Sequence, residues 1–289
     1  MHSNFLQRMV TFKRIAADRG ATFAALAATL LVMAPLVAIF AYLIYRGIGA
    51  LSWSFLTHIP KPVGEAGGGI GNAIAGSAVI LATASLIGVP LGIGAGIYLA
   101  EFGRGPLAKL VRFVADVLNG VPSIVMGIAV YALVVVEQKH FSAFAGGVAL
   151  GIMMIPTITR TTEEMLFMVP RSVREAALGL GIPEWRTVIS VSLRSASAGV
   201  ITGVMLAFAR VAGETAPLLF TAFGNQFWNF KLSEPTAALP LQIFTYAISP
   251  YEEWHQLAWA GALVLIVLIV AVVFVVRVVT SRGMMKGVA

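Results

Sequence analysis

Six long apolar windows divide this 289-residue chain, and no other feature limits its fold as strongly. They cover residues 20–45, 66–100, 117–136, 141–159, 197–221 and 256–276. A helix needs roughly 20 apolar residues to cross about 30 Å of hydrocarbon, and in lipid only helices and closed barrels satisfy every backbone polar group. Runs of this length predict an all-α integral membrane protein with six transmembrane helices. Only 11% of the residues are charged and 58% are hydrophobic, whereas soluble domains carry about 25% charge. The fifth window is the weakest by hydropathy, because Arg210 and Glu214 interrupt it. There are no cysteines, which excludes disulfides and thiolate sites. His2, His58, His140 and His255 are too scattered to suggest a metal cluster.

The basic residues orient the spans. Arg8, Lys13, Arg14 and Arg19 precede the first window, and Arg104, Lys109 and Arg112 separate the second from the third. Arg160, Arg171, Arg174, Arg186 and Arg194 lie between the fourth and fifth, and Arg277, Arg282 and Lys286 follow the sixth. The opposite loops hold only Arg46, Lys61, Lys139 and Lys231. Cytoplasmic loops carry the excess of Lys and Arg, so both termini are expected in the cytoplasm. The net charge of +7 is then topological and implies no nucleic-acid surface. The first window is too long for a signal-peptide core, which predicts a retained anchor. The expected organisation is a cytoplasmic segment over 1–19 and one transmembrane domain over 20–289, with a cytoplasmic loop at 160–194 and an external loop at 222–255.

Several polar or small residues lie inside the windows. Gly88, Gly92 and Gly96 recur every four residues on one helix face, which permits close helix approach in lipid. The approaching helix belongs either to this chain or to a second subunit. Gly67-Gly68-Gly69-Ile70-Gly71 lacks a preceding strand and a following Lys-Ser/Thr, so it is no phosphate cradle. No such cradle occurs elsewhere, and any ATP must be bound by a partner. Pro122 predicts a break near the start of the third span, with Asn119 and Ser123 on a shared face as either a packing kink or a path lining. Arg160 closes the fourth span as a snorkelling anchor or as the inner mouth of a path. In the fifth, Arg210 and Glu214 stand four apart, on one face of a continuous helix. Charges within the bilayer cost about 2.5–3.5 kcal/mol each on insertion scales and are avoided on lipid-facing surfaces. The pair is therefore a structural ion pair or part of an anion path. A guanidinium fork suits a tetrahedral oxyanion, and Glu214 can accept a hydrogen bond from the hydroxyl of hydrogen phosphate, which sulfate lacks.

Within the 160–194 loop, Ser172 followed by Glu175 reads as a capping box opening a helix over 173–180. Gly181 is placed to take the left-handed position after it, and Pro183 prevents continuation. Ala176 and Ala177 are expected to leave one side of this helix shallow enough for a partner surface.

These residues carry a family resemblance. Arg174-Glu175-Ala176-Ala177 with Gly181 resembles the coupling loop of ABC importer permeases. Asn119-Gly120-Val121-Pro122-Ser123, Thr159-Arg160-Thr161-Thr162-Glu163 and Ala209-Arg210-Val211-Ala212-Gly213-Glu214-Thr215-Ala216-Pro217 narrow it to permease subunits of the bacterial phosphate ABC importer, most of all the PstA type. Asn225-Gln226-Phe227-Trp228 and Ser249-Pro250-Tyr251-Glu252-Glu253-Trp254 extend the likeness outside the membrane. Where the general pattern ends in Ile-x-Leu-Pro, this chain has Val191-Ser192-Leu193-Arg194.

The resemblance implies a type I importer permease in the bacterial inner membrane, without enzymatic activity or cofactor of its own. ATP and Mg would be bound by two partner ATPase subunits docked at Glu175, Ala176, Ala177 and Gly181. A second homologous permease and an extracytoplasmic phosphate-binding protein would complete the complex. Arg210, Glu214, Arg160, Asn119 and Ser123 would line the path, and Trp228, Tyr246 and Trp254 would face the binding protein. The nearest rival is a permease for sulfate or molybdate; a secondary transporter, using the Arg–Glu pair as an ion relay, is disfavoured by the absence of inverted repeats.

Overall fold

The computed structural model describes residues 2–65 and 67–285, apart from the side chains of 2–13, 15, 16 and 281–285. Ala66 at the head of the second window lies outside the described residues, as do Lys286 and the side chains of His2, Arg8, Lys13 and Arg282. Among the described residues the regular elements are helices: α1 (His2–Gly47), α2 (Trp53–Thr57), α3 (Gly71–Phe102), α4 (Pro106–Gly120), α5 (Ser123–Gln138), α6 (Ala143–Phe167), α7 (Arg171–Gly179), α8 (Glu184–Ala212), α9 (Ala216–Thr221), α10 (Leu239–Ala247) and α11 (Glu252–Met285). Among the described residues, α1, α3, α6, α8 and α11 are each long and apolar enough to cross a membrane. The sixth crossing exists only as the pair α4 and α5, bent by 108°.

Pro122 causes that bend. The residue before a proline is pushed out of the helical region, and Val121 is extended at φ −70°, ψ 130°. Pro122 itself is non-helical and caps α5. The break predicted at Pro122 is present, but the expected shared face is corrected: Asn119 lies in the last turn of α4, Ser123 opens α5, and the two share no helix face. The fifth window is divided too. Helix α8 stops at Ala212, and α9 is a separate six-residue helix with a proline in its first turn.

The core is the seam between α3 and α6. Gly88, Gly92 and Gly96 face α6 so closely that a Cβ on Gly92 would sit 2.7 Å from the Ile158 Cβ. Gly147 and Gly151 return the contact from α6 toward Thr83 and Ile87. The glycine stripe therefore packs within the chain. Ile80, Ala84, Leu150, Met154, Ile158, Val211 and Leu218 fill the remainder of this core. The run 67–71 is a tight backbone crossing: the amides of Gly69, Ile70 and Gly71 donate to the carbonyls of Ile59, Phe55 and His58.

The outermost helices behave differently. Helices α1 and α11 meet where Tyr42 packs edge-on to Trp259 at 5.2 Å and Gly47 admits the Trp259 carbonyl. Among the described residues, few positions in their apolar stretches are buried.

Candidate functional site

A ladder of polar contacts joins α4 to α6 on the basic side of the molecule. From α4 come Arg112, Asp116 and Asn119, and from α6 come Glu163, Arg160 and Thr157. Spacings of three and four place each set on one helical face. Asn119 Oδ1 accepts from the Thr157 hydroxyl at 3.3 Å. One turn nearer the loop, the Arg160 guanidinium grips Asp116 with Nε and Nη2, at 2.8 and 2.7 Å to Oδ1 and 2.5 Å to Oδ2. Arg160 Nη1 also donates to Glu163 Oε2 at 3.0 Å, and Arg112 Nε donates to Glu163 Oε1 at 2.6 Å. Only 4% of the Glu163 side chain is accessible. A buried carboxylate is tolerable when both oxygens are matched by opposite charge, and here each has its own arginine. Arg160 is therefore held on two sides rather than reaching freely toward headgroups.

A π turn over Tyr98–Phe102 ends α3. Widening a turn this way frees a carbonyl from the helical ladder, and that of Leu99 accepts Arg112 Nη2 at 3.1 Å. Glu101 in the same turn pairs at 3.0 Å with Arg174 of α7, whose Nη2 also donates to the Leu166 carbonyl of α6. The short helix α7 is thus tied directly to the ends of two spans.

Arg210 and Glu214 are arranged otherwise than a continuous helix would place them. Because α8 ends at Ala212, Arg210 lies in its last turn and Glu214 in the break before α9, and no ion pair forms between them. Among the described residues neither side chain has a charged or hydrogen-bonding partner. Arg210 is exposed and Glu214 half-buried. At 1.5 Å per residue, Arg210 lies about 24 Å along α8 from Arg194. Helix α8 ends two residues further on, at Ala212, and an arginine within a span is avoided on lipid-facing surfaces.

The loop helix differs in one detail from its sequence reading. Pro170, not Ser172, precedes α7, no side chain caps it, and Ser172 and Glu175 lie within the helix. Rigid proline geometry before a first turn replaces the capping box. The other end is as expected: Gly181 is left-handed at φ +79°, its amide donates to the Leu178 carbonyl, and that of Ile182 donates to Ala177. Both bonds belong to a Schellman ending. Ala177 is buried beneath α7, while Ala176 is exposed beside Val173 and Leu180. Consecutive helical residues are about 100° apart, so the two alanines cannot form one shallow face. Glu175 lines a cavity of about 540 Å³ between α7 and the end of α3, with Arg104, Arg171 and Arg174. Beyond the loop, α8 runs unbroken through a π turn at Val188–Ser192.

On the opposite side, residues 222–238 fold back on α3 and α6. The Asn72 side chain donates to the Asn225 carbonyl at 2.8 Å, and Ser77 Oγ accepts the Leu239 amide at 2.7 Å. Lys231 donates to Glu234 at 2.7 Å, which holds that carboxyl below the usual carboxylate range. Trp228 is exposed, but Tyr246 is 2% exposed and packs on Trp254 at 5.2 Å. Its expected place on an outward surface is therefore corrected: the ring is core.

Five long apolar helices, a bent helix pair and a short polar helix tied to span ends define a multi-span membrane protein. The chain belongs to the family described as binding-protein-dependent transport system inner membrane component, matched over residues 88–283. Its fold is shared with the inward-facing MetNI methionine ABC transporter at a TM-score of 0.57 and 17% identity, over 75% of this chain and 96% of that one. Within the class it groups with phosphate transport system permease protein PstA. It is 48% identical to PstA of Yersinia pestis over 238 residues, 82% of this chain and 81% of that one. It is 50% identical to PstA of Xylella fastidiosa over 232 residues, 80% of each. With the probable PstA of Methanocaldococcus jannaschii it shares 35% over 265 residues, 91% of this chain and 94% of that one. The chain is thus a multi-pass inner-membrane permease component and not the ATPase, and it works with a binding protein and an ATPase.

The comparisons assign no roles to individual residues. Sequence reasoning named Arg160 and Asn119 but passed over their partners Arg112, Asp116, Glu163 and Thr157. The available signal was two polar stripes with helical spacing, 112/116/119 and 157/160/163, on neighbouring spans.

Proposed function

We propose that this chain is the permease subunit of an ATP-driven inorganic phosphate importer and forms half of its translocation path. The observation that carries the residue assignment is Arg210 in the last turn of α8 and Glu214 just beyond it, neither with a charged or hydrogen-bonding partner among the described residues. Arg210 offers a fork for a tetrahedral anion, and Glu214 accepts a hydrogen bond from the hydroxyl that hydrogen phosphate retains. About 10 Å from the cytoplasmic end of α6, Arg160 provides a second cationic station, with Asn119 and Ser123 flanking the bend above it. A second, homologous but different permease supplies the facing half.

Two ATP-binding subunits dock at the cytoplasmic loops, one of them on α7 through Glu175, Ala176 and the turn at Gly181, with Ala177 holding the helix against the spans. Closure of the ATPases moves α7, and the Arg174–Glu101 and Arg174–Leu166 contacts pass that motion to α3 and α6. The residues 222–255 and the exposed Trp228 receive an extracytoplasmic phosphate-binding protein. The functional unit is the transmembrane domain over 20–289, preceded by the cytoplasmic segment 1–19.

Reconstitution of the complete complex in proteoliposomes tests this reading. Phosphate-loaded binding protein should stimulate ATP hydrolysis, and its sulfate-loaded counterpart should not. Equal stimulation by both, or by sulfate alone, would replace phosphate with another oxyanion as the cargo.

A further inference from the structure

The contact between Asp116 and Arg160 has the form that a bound oxyanion would take. Two nitrogens of one guanidinium edge point at one carboxylate, the bidentate geometry by which arginine recognises both carboxylate and phosphate. The two carboxylates on Arg160 are placed very differently. Glu163 is buried, is shared with Arg112 and neutralises the pair from behind. The Asp116 side chain is 55% accessible, and among the described residues Arg160 is its charged partner. One anion at Arg160 is built into the core, and the other sits on its open edge.

We propose that Asp116 is a resident competitor for the anion site of Arg160, occupying the guanidinium edge between transport events and returning to it as phosphate leaves toward the cytoplasm. The inference rests on the reading of Arg160 as a station of the path. An incoming phosphate takes the Nε–Nη2 edge, and the Asp116 carboxylate swings aside on an exposed side chain at small desolvation cost. The displaced carboxylate then stands within a few ångströms of a second anion, where like charges repel. Recapture of the guanidinium by Asp116 expels the phosphate. A permease must release its cargo as readily as it accepts it, and an uncontested arginine would hold phosphate too long. Asp116 is thus a positioning residue that sets residence time.

Equilibrium binding of radiolabelled inorganic phosphate to the purified, nucleotide-free complex tests this, beside initial uptake rates in proteoliposomes. Asp116→Asn removes the competing charge and keeps the size. It should bind phosphate about tenfold more tightly than the native complex, an equilibrium shift of about 1.4 kcal/mol, while its uptake slows. Asp116→Glu, which keeps a carboxylate, should restore both values toward native. The added affinity should vanish in the double variant Asp116→Asn, Arg160→Gln. Unchanged affinity in Asp116→Asn, or failure of that variant to assemble, overturns the competitor role and leaves Asp116 as a packing contact. Full uptake by Arg160→Gln alone overturns the path reading of Arg160 instead, so the two failures are distinct.

Discussion

The two charged regions of this permease use the same side-chain chemistry to opposite ends. On the α4–α6 seam, Arg112, Arg160, Asp116 and Glu163 satisfy one another completely, with contacts of 2.5 to 3.0 Å. Where α8 gives way to α9, Arg210 and Glu214 are four residues apart and neither has a charged or hydrogen-bonding partner among the described residues. The difference arises from backbone continuity. Helices α4 and α6 run on past their charges, so stripes of spacing three and four meet across the seam. Helix α8 ends two residues after Arg210 and removes the face that would have brought Glu214 to it. Paired charge in lipid holds helices together, whereas unpaired charge there asks for a ligand.

The largest expected effect breaks the paired region. Glu163→Ala leaves two arginines without their buried acceptor, at a cost of about 3–5 kcal/mol. Thermal unfolding of the detergent-solubilised complex should shift sharply down, and an unchanged transition would mean that the seam contributes little. Arg210→Gln is the contrasting experiment, since no intramolecular contact is lost. Uptake should fall by roughly ten- to a hundredfold, the loss of a charge-assisted contact of about 1.5–3 kcal/mol, with unfolding unaltered. A matching fall in stability would return Arg210 to a structural role.

Packing behind the seam should respond next. Gly92→Ala drives a methyl toward Ile158 Cβ and should destabilise by about 1–3 kcal/mol, read by the same unfolding assay without first affecting phosphate affinity. Glu175→Lys adds positive charge beside Arg104, Arg171 and Arg174. It should weaken co-purification of the ATPase by about tenfold and leave the seam intact; normal co-purification would remove Glu175 from the docking surface.

The smallest effect belongs to the external loop. Hydrogen bonding to Lys231 lowers the Glu234 carboxyl below its ordinary value of 4.5. A carboxyl depressed in the folded state contributes stability above its unfolded pKa and loses it as pH falls through the folded one. Between pH 5 and 8, proteolysis of the 222–238 segment should therefore be constant, with protection declining only below the usual carboxylate range. Protection lost already at pH 6 would point to a different titrating group.

The membrane class, the basic cytoplasmic side and the approximate span positions were legible because each depends on local composition alone. So was the left-handed Gly181, since few other residues tolerate that conformation without strain. The glycine stripe announced close helix approach but left its partner open, and only the packing shows α6 lying against it. Ser172 looked like a cap and Tyr246 like a surface residue because local pattern cannot reveal Pro170's prior claim on the helix start or Trp254 covering the ring. Arg210 and Glu214 show the same limit most clearly. Their residue types and depth were written in the chain, and these sufficed to mark a place where charge must have a purpose in lipid. Whether they pair depended on where α8 stops, and the partners of Arg160 depended on how α4 lies along α6. Contacts between residues 44 and 51 positions apart are made by packing between helices, which no local spacing encodes.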